Sequence, residues 1–93
     1  MSNRRRSALV TGSGRNIGRA TAVQLAKDGF NIVINGSHNL EDCEKTKTLV
    51  DAEGVSSHIT MGDVGIREGC NDIANEAIKI FGGIDVLVNN AAI

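Results

Sequence analysis

Thr11-Gly12-Ser13-Gly14-Arg15-Asn16-Ile17-Gly18 is the stretch that decides the fold. The apolar run Ser7-Ala8-Leu9-Val10-Thr11 leads straight into it and reads as a buried strand. A helical pattern follows from Asn16 to Asp28. Ile17, Thr21 and Leu25 recur at four-residue steps, with Ala22 and Ala26 beside them. Gly29 then stands where a helix takes a left-handed terminal residue.

Working outward, Asn31-Ile32-Val33-Ile34-Asn35 is rich in β-branched residues and predicts a second strand. Gly36 to Asn39 is a loop, with Asn39 as N-cap of a second helix over Leu40 to Glu53 that stops at Gly54. Ser57 to Met61 is a weaker third strand. Gly65 to Phe81 predicts a third helix, its apolar face through Ile73, Ala77 and Ile80 or Phe81, with Gly69 inside it. Gly69 is expected to cost about 1 kcal/mol relative to alanine there. Gly82-Gly83 ends that helix, and Ile84 to Asn89 is a fourth strand. Strands alternating with helices imply an α/β fold of the Rossmann type, with three αβα layers around a parallel sheet. Right-handed crossovers restrict the topology, and strand order 3-2-1-4 puts the first two helices on one face and the third on the other. Cys43 and Cys70 then fall on opposite faces, so no disulfide is expected between them.

The 93 residues hold material for one small domain. A hydrophobic fraction of 41% and a charged fraction of 23% suit a globular chain in water. A net charge of -1 gives no reason to expect a nucleic-acid or acidic-membrane partner. Arg4-Arg5-Arg6 is expected to be a solvated tail, and the N-terminal apolar run is too short for a secretory signal. No apolar stretch is long enough to span a membrane. The cysteines lack metal or redox spacing and read as thiols of a reducing compartment. No residue is assigned as a metal ligand.

A glycine loop placed between a strand and a helix is the setting for binding phosphate. The backbone must turn sharply and come close to the ligand without side chains in the way. Its free N–H groups and the positive end of the helix then face the anion. Gly12 supplies the turn, and Gly18 lets the helix pack closely. No Gly-Lys-Ser/Thr follows, so this is not a P-loop.

The loop resembles that of the short-chain dehydrogenases/reductases, Thr-Gly-x-x-x-Gly-x-Gly. It matches at Thr11, Gly12, Ile17 and Gly18, and Asn16 stands at the middle glycine. Asn is the residue that best tolerates a left-handed backbone after glycine. Asp63-Val64 resembles the pair that closes the third strand and meets the adenine ring in the family. Phe81-Gly82-Gly83-Ile84-Asp85-Val86-Leu87-Val88-Asn89-Asn90-Ala91 is similar to the family's run at the fourth strand, with Ala92 in place of a glycine. The resemblance covers essentially the whole chain. It implies that residues 1–93 are the N-terminal half of an NAD(P)-binding Rossmann domain. It places the cofactor against Gly12, Ser13, Gly14, Arg15, Asn16, Ile17, Gly18, Gly36, Ser37, His38, Asp63, Val64, Asn90, Ala91 and Ala92, and gives Asn89 a role in the sheet. The glycine loop and the Asn89 to Ala92 loop are then two walls of the crevice at the topological switch point.

An NAD site usually carries a carboxylate at the end of the second strand. That end reads Asn35-Gly36-Ser37-His38, without an acid, so a 2′-phosphate is expected to meet no repulsion there. Arg15 sits where NADP-preferring members tend to carry a base. NADP is therefore favoured, with NAD as the other possibility.

The family's chemistry rests on a Ser and a Tyr-x-x-x-Lys pair beyond the fourth strand, and this chain holds no Tyr. The resemblance implies a parent oxidoreductase that moves hydride between a nicotinamide and a carbonyl or alcohol. Its expected setting is the cytoplasm, as a homodimer or homotetramer. The 93 residues alone are expected not to turn over. Val86-Leu87-Val88 is expected to be an exposed apolar sheet edge, and the chain to be marginal alone. Two alternatives stand beside this: a non-catalytic NAD(P)-binding module, and a Rossmann-like methyltransferase, which Asn89-Asn90-Ala91 does not fit.

Overall fold

A computed structural model describes residues 5–90. Its elements are β1 (Ser7–Val10), α1 (Asn16–Lys27), β2 (Asn31–Gly36), α2 (Leu40–Asp51), β3 (Ser57–Met61), α3 (Arg67–Phe81) and β4 (Val86–Val88). The sheet is parallel throughout, in the order β3-β2-β1-β4. The predicted Rossmann-type order 3-2-1-4 is therefore the observed one. In register, Leu9 lies opposite Val33 and Leu87, and Val10 opposite Ile34 and Val88.

Side chains of a strand alternate between faces, and the central strands are covered on both. Ala8, Val10, Ile32 and Ile34 pack with Ala22 and Ala26 of α1 and Cys43 and Val50 of α2. Leu9 and Val33 point the other way, to Ile73 and Ala77 of α3. Fully burying an isoleucine such as Ile32, Ile34 or Ile73 contributes roughly 1.5–3 kcal/mol each. The two faces also separate the thiols as expected: Cys43 is buried, Cys70 is exposed, and both are free.

Element ends differ from the sequence expectation by a few residues. Thr11 is a turn residue outside β1, its N–H donating to the Val88 carbonyl at 3.0 Å. α1 ends at Lys27 and α2 at Asp51, short of Asp28 and Glu53. α3 starts at Arg67, because Asp63 first closes a turn with its carboxylate on the Gly65 N–H. β4 is confined to Val86–Val88, shorter than the expected Ile84 to Asn89. The buried stripe of α1 is Gly18, Ala22 and Ala26, and Ile17 is 74% exposed. The expected Ala22 and Ala26 are buried, Leu25 packs beside them, and Gly18 rather than Ile17 begins the inward stripe, so α1 lies close against β1. On α3, Phe81 packs inward and Ile80 is exposed. Within the basic run, Arg6 is not simply solvated: its guanidinium sits 4.8 Å from the centre of the Phe30 ring. Arg4 lies outside the described residues. β4 is the outer strand beside β1 among the described residues, and its Leu87 is 63% exposed.

Candidate functional site

The glycine loop leaves the end of β1 in the middle of the sheet. Gly12 has φ 61, the left-handed turn for which glycine is suited, and Asn16 has φ 57 in the same region. Asn16 thus does what its sequence position demanded. Gly18 meets the loop from below: a Cβ there would lie 2.2 Å from the Gly12 carbonyl oxygen and 2.7 Å from Asn90 Nδ2.

The carbonyls of Gly12, Ser13 and Gly14 are each taken by a protein side-chain donor. Asn90 Nδ2 donates to Gly12 O at 3.2 Å. The Thr46 hydroxyl donates to Ser13 O at 2.8 Å and lies 3.2 Å from Gly14 O. Arg19 donates to Gly14 O and, through Nε, to the Thr46 hydroxyl at 2.9 Å. Across a trans peptide the C=O and the next N–H point opposite ways. With the Ser13 and Gly14 carbonyls drawn toward Thr46 and Arg19, the N–H groups of Gly14 and Arg15 point away from α2's Thr46. α1 adds the unpaired N–H groups of its first turn. Its N-cap residue Arg15 makes no side-chain cap bond, and no acidic residue lies in that turn.

Asn35 holds the loop from the other side, and sequence reasoning missed it as more than a strand end. It is 2% exposed. Its Oδ1 accepts from Gly12 N–H at 3.2 Å, and its Nδ2 donates to the Thr60 and Gly62 carbonyls at 3.1 and 3.2 Å. Its backbone N–H donates to the Ser13 hydroxyl at 3.0 Å, and its carbonyl accepts from Ser13 N–H at 2.8 Å. The signal in sequence was an amide in an otherwise aliphatic strand, where a buried polar group requires partners.

The sequence-predicted residues divide into groups. Gly12, Gly14, Arg15, Gly36, Ser37 and His38 line one cavity of about 170 Å³, together with Asn39, Asp42 and Cys43. Ser13 is buried behind it, while Asn16 and Ile17 are exposed at the start of α1. Asn90 joins the glycine loop, its N–H donating to Thr11 Oγ1 at 2.9 Å. The Thr11 hydroxyl in turn donates to Asn89 Oδ1 at 3.3 Å. Asp63 and Val64 are not part of the 170 Å³ cavity. Asp63 is an exposed turn residue after β3, which ends at Met61. Val64 lines a separate apolar cavity of about 210 Å³ with Leu9, Thr11, Ile73, Leu87 and Asn89. Ala91 and Ala92 lie outside the described residues.

No carboxylate stands at the end of β2 itself, but α2 brings Asp42 into the cavity of about 170 Å³ from the side. Its carboxylate is 3.9 Å from Arg15 Nη1. Cys43 forms part of the wall: a Cβ on Gly36 would lie 2.6 Å from its sulfur, and one on Gly14 3.3 Å. Burial, then the Asp42 charge, holds this thiol above its ordinary value, against the opposing Arg19 guanidinium.

The sequence profile described as short chain dehydrogenase matches residues 6–93. The chain is 45% identical over 87 residues to an uncharacterized oxidoreductase, YhxC, of Bacillus subtilis, covering 94% of this chain and 30% of that protein. The crystal structure of acetoin dehydrogenase from Enterobacter cloacae superposes with a TM-score of 0.90 at 31% identity, over 99% of this chain and 36% of that one. That of an NAD+-bound xylitol dehydrogenase gives 0.89 at 38% identity, over 95% and 34%. The chain therefore spans about a third of the length of these relatives. With a profile match running from the first strand to the last residue, over a sheet and glycine loop of the predicted order, the chain belongs to the short chain dehydrogenase family.

Proposed function

We propose that residues 1–93 form the cofactor-binding half of an NAD(P)(H)-dependent oxidoreductase acting on a carbonyl or alcohol substrate. The observation that carries this is the disposition of the glycine loop. Its carbonyls are engaged by Asn90, Thr46 and Arg19, and the first turn of α1 has neither side-chain cap nor acid. Such a helix start suits the diphosphate of a dinucleotide. Gly18 fits this role, since the space a side chain would need is filled by loop backbone. The neighbouring cavity between Arg15, Gly36, Ser37 and His38 suits the adenosine ribose. Arg15 favours NADP over NAD, with a charged hydrogen bond to phosphate. Asn16, Ile17 and Asn90 border the cofactor, Ser13 braces the loop from behind, and Asp63 and Val64, in the segment after β3, lie on the adenine side.

A bound nicotinamide supplies the hydride chemistry. This chain's own residues bind and orient the dinucleotide. They contain no Tyr, so the phenolic acid or base of the family's chemistry has to come from outside them. The proposed setting of the parent enzyme is a cytoplasmic homodimer or homotetramer. No helix among the described residues is long and apolar enough to cross a membrane. A second reading stands beside it, an NAD(P)-binding module without turnover.

Titration of the protein with NADPH and with NADH tests the proposal. The chain has neither Trp nor Tyr, so the cofactor's own fluorescence reports binding. Saturable binding of at least one cofactor is expected, and no saturation by either at millimolar concentration would overturn it. Consumption of NADPH with carbonyl substrates by a longer form carrying a Tyr, and none by the module, separates the two readings.

A further inference from the structure

Resting on the proposed dinucleotide site, we infer that Asp42 is a cofactor-selectivity residue: it faces Arg15 across the cavity proposed for the adenosine ribose and counteracts Arg15's preference for a 2′-phosphate. Asp42 belongs to α2, not to the strand end where an acid of this role is usually sought. The two partners are held very differently. Asp42 is pinned at its backbone, its N–H donating to Asn39 Oδ1 at 3.0 Å and its carbonyl accepting from Arg19 at 3.1 Å. Its side chain is 21% exposed, that of Arg15 72%. An exposed pair at 3.9 Å contributes little to stability, so Arg15 is free to turn to a ligand while Asp42 stays in place.

A phosphate that Arg15 holds inside the cavity both residues line then sits near the Asp42 carboxylate. The two anions repel, in a cavity where solvent screens less than in bulk water. A ribose 2′-hydroxyl in the same place is a donor, which a carboxylate accepts. The other charged and titratable groups around Asp42 are Arg19, bonded to its backbone carbonyl, and His38 and Cys43, which line the same cavity. Among them the Arg19 guanidinium is held by Gly14, Thr46 and the Asp42 carbonyl, so its charge stays in place whether or not Asp42 is charged, and removing the Asp42 carboxylate changes only the repulsive part. Asp42 thus keeps NAD usable at a site that Arg15 alone would tilt to NADP.

The test is the ratio of NADPH to NADH affinity, read from cofactor fluorescence in the unmodified protein and in Asp42→Asn. The ratio is expected to rise on the order of tenfold toward NADPH, the size of one partly solvent-screened like-charge contact at this range. Asp42→Ser, which also removes the charge, should repeat the shift. Glu41→Gln removes an exposed charge from the same helical turn without touching the cavity, and should leave the ratio unchanged. A ratio that stays within twofold in both Asp42 variants, while the cofactors still bind, overturns the role of Asp42 and leaves the dinucleotide site standing. A ratio that moves as far in Glu41→Gln overturns it too. Failure of both cofactors to bind the unmodified protein overturns the site and this inference together.

Discussion

Two helices begin on opposite sides of one cavity, and they begin in opposite ways. α2 starts with a full set of stabilising features: Asn39 caps the Asp42 N–H at 3.0 Å, and Glu41 and Asp42 place negative charge in the first turn. α1 has none of these. Its cap residue is Arg15, in extended conformation, with no cap bond and no acid in the first turn. Both ends are a few residues from the sheet and built from the same kind of backbone. The difference is that α2 satisfies its own N-terminus, whereas α1 leaves its donors and its positive end for something else. Stability that α1 forgoes at its start is recovered beneath it, in the Gly18 packing and the Asn35, Thr46 and Arg19 bonds to the loop.

The largest effect is expected where the loop is closest packed. Gly18→Val puts a side chain against the Gly12 carbonyl, which is backbone and cannot rotate aside. A loss of about 3 kcal/mol in urea denaturation is expected, together with loss of cofactor binding. Asn35→Leu keeps the strand apolar but leaves the Gly12 N–H and the Thr60 and Gly62 carbonyls without their partner. About 2–3 kcal/mol should be lost, again by urea denaturation. Asn39→Ala removes the cap of α2 and should cost about 1 kcal/mol. If that variant instead weakened cofactor binding as strongly as Gly18→Val does, the division of labour between the two helix starts would fail. Arg15→Ala should weaken NADPH binding about tenfold and NADH binding little, since only the former carries the phosphate. Equal losses would remove Arg15 from that role.

The smallest effect concerns Cys43. Its raised value in the folded state means that the protein holds the thiol neutral where the unfolded chain ionises it. The stability this represents is present below the ordinary thiol range, about 8.5, and is lost as pH rises toward the folded-state value. Unfolding midpoints should therefore fall above about pH 9, and fall less steeply in Cys43→Ala. At neutral pH a thiol reagent should modify the exposed Cys70 well before Cys43.

The strand-helix alternation and the sheet order were legible because they depend on periodicity and glycine stops, which are local. Asn16 was legible too, since the loop pattern placed a left-handed residue at its position and the observed φ is 57. What the sequence did not reveal depends on contacts between distant segments. Asp42 is 27 positions after Arg15 in a different helix, and only the packing of α1 on α2 brings it into the cavity. Asn35 looked like the last residue of a strand, and its role appears only when the loop and β3 are both in place. Gly69 looked like a defect in α3. Its missing side chain makes room for the Asp63 carbonyl, which a Cβ would approach to 2.4 Å. On α1 the expected Ala22 and Ala26 are buried and Leu25 packs against the core, but Ile17 is exposed and Gly18 takes its place on the inward stripe, because closeness of approach mattered more than apolar size. Gly18, Ala22 and Ala26 are small for that reason.

The most direct test of the account compares Ile17→Glu with Ile17→Gln, at a position 74% exposed in the first turn of α1. The two side chains are nearly the same size, so their difference isolates charge. An acid there completes α1 as α2 is completed. Relative to Ile17→Gln, Ile17→Glu should be more stable by about 0.3–1 kcal/mol. It should also bind NADPH on the order of tenfold more weakly, because the acid competes with the diphosphate for the same donors. Opposite signs for stability and affinity would bear out a helix start reserved for an anion. Equal NADPH affinity in the two variants would contradict it.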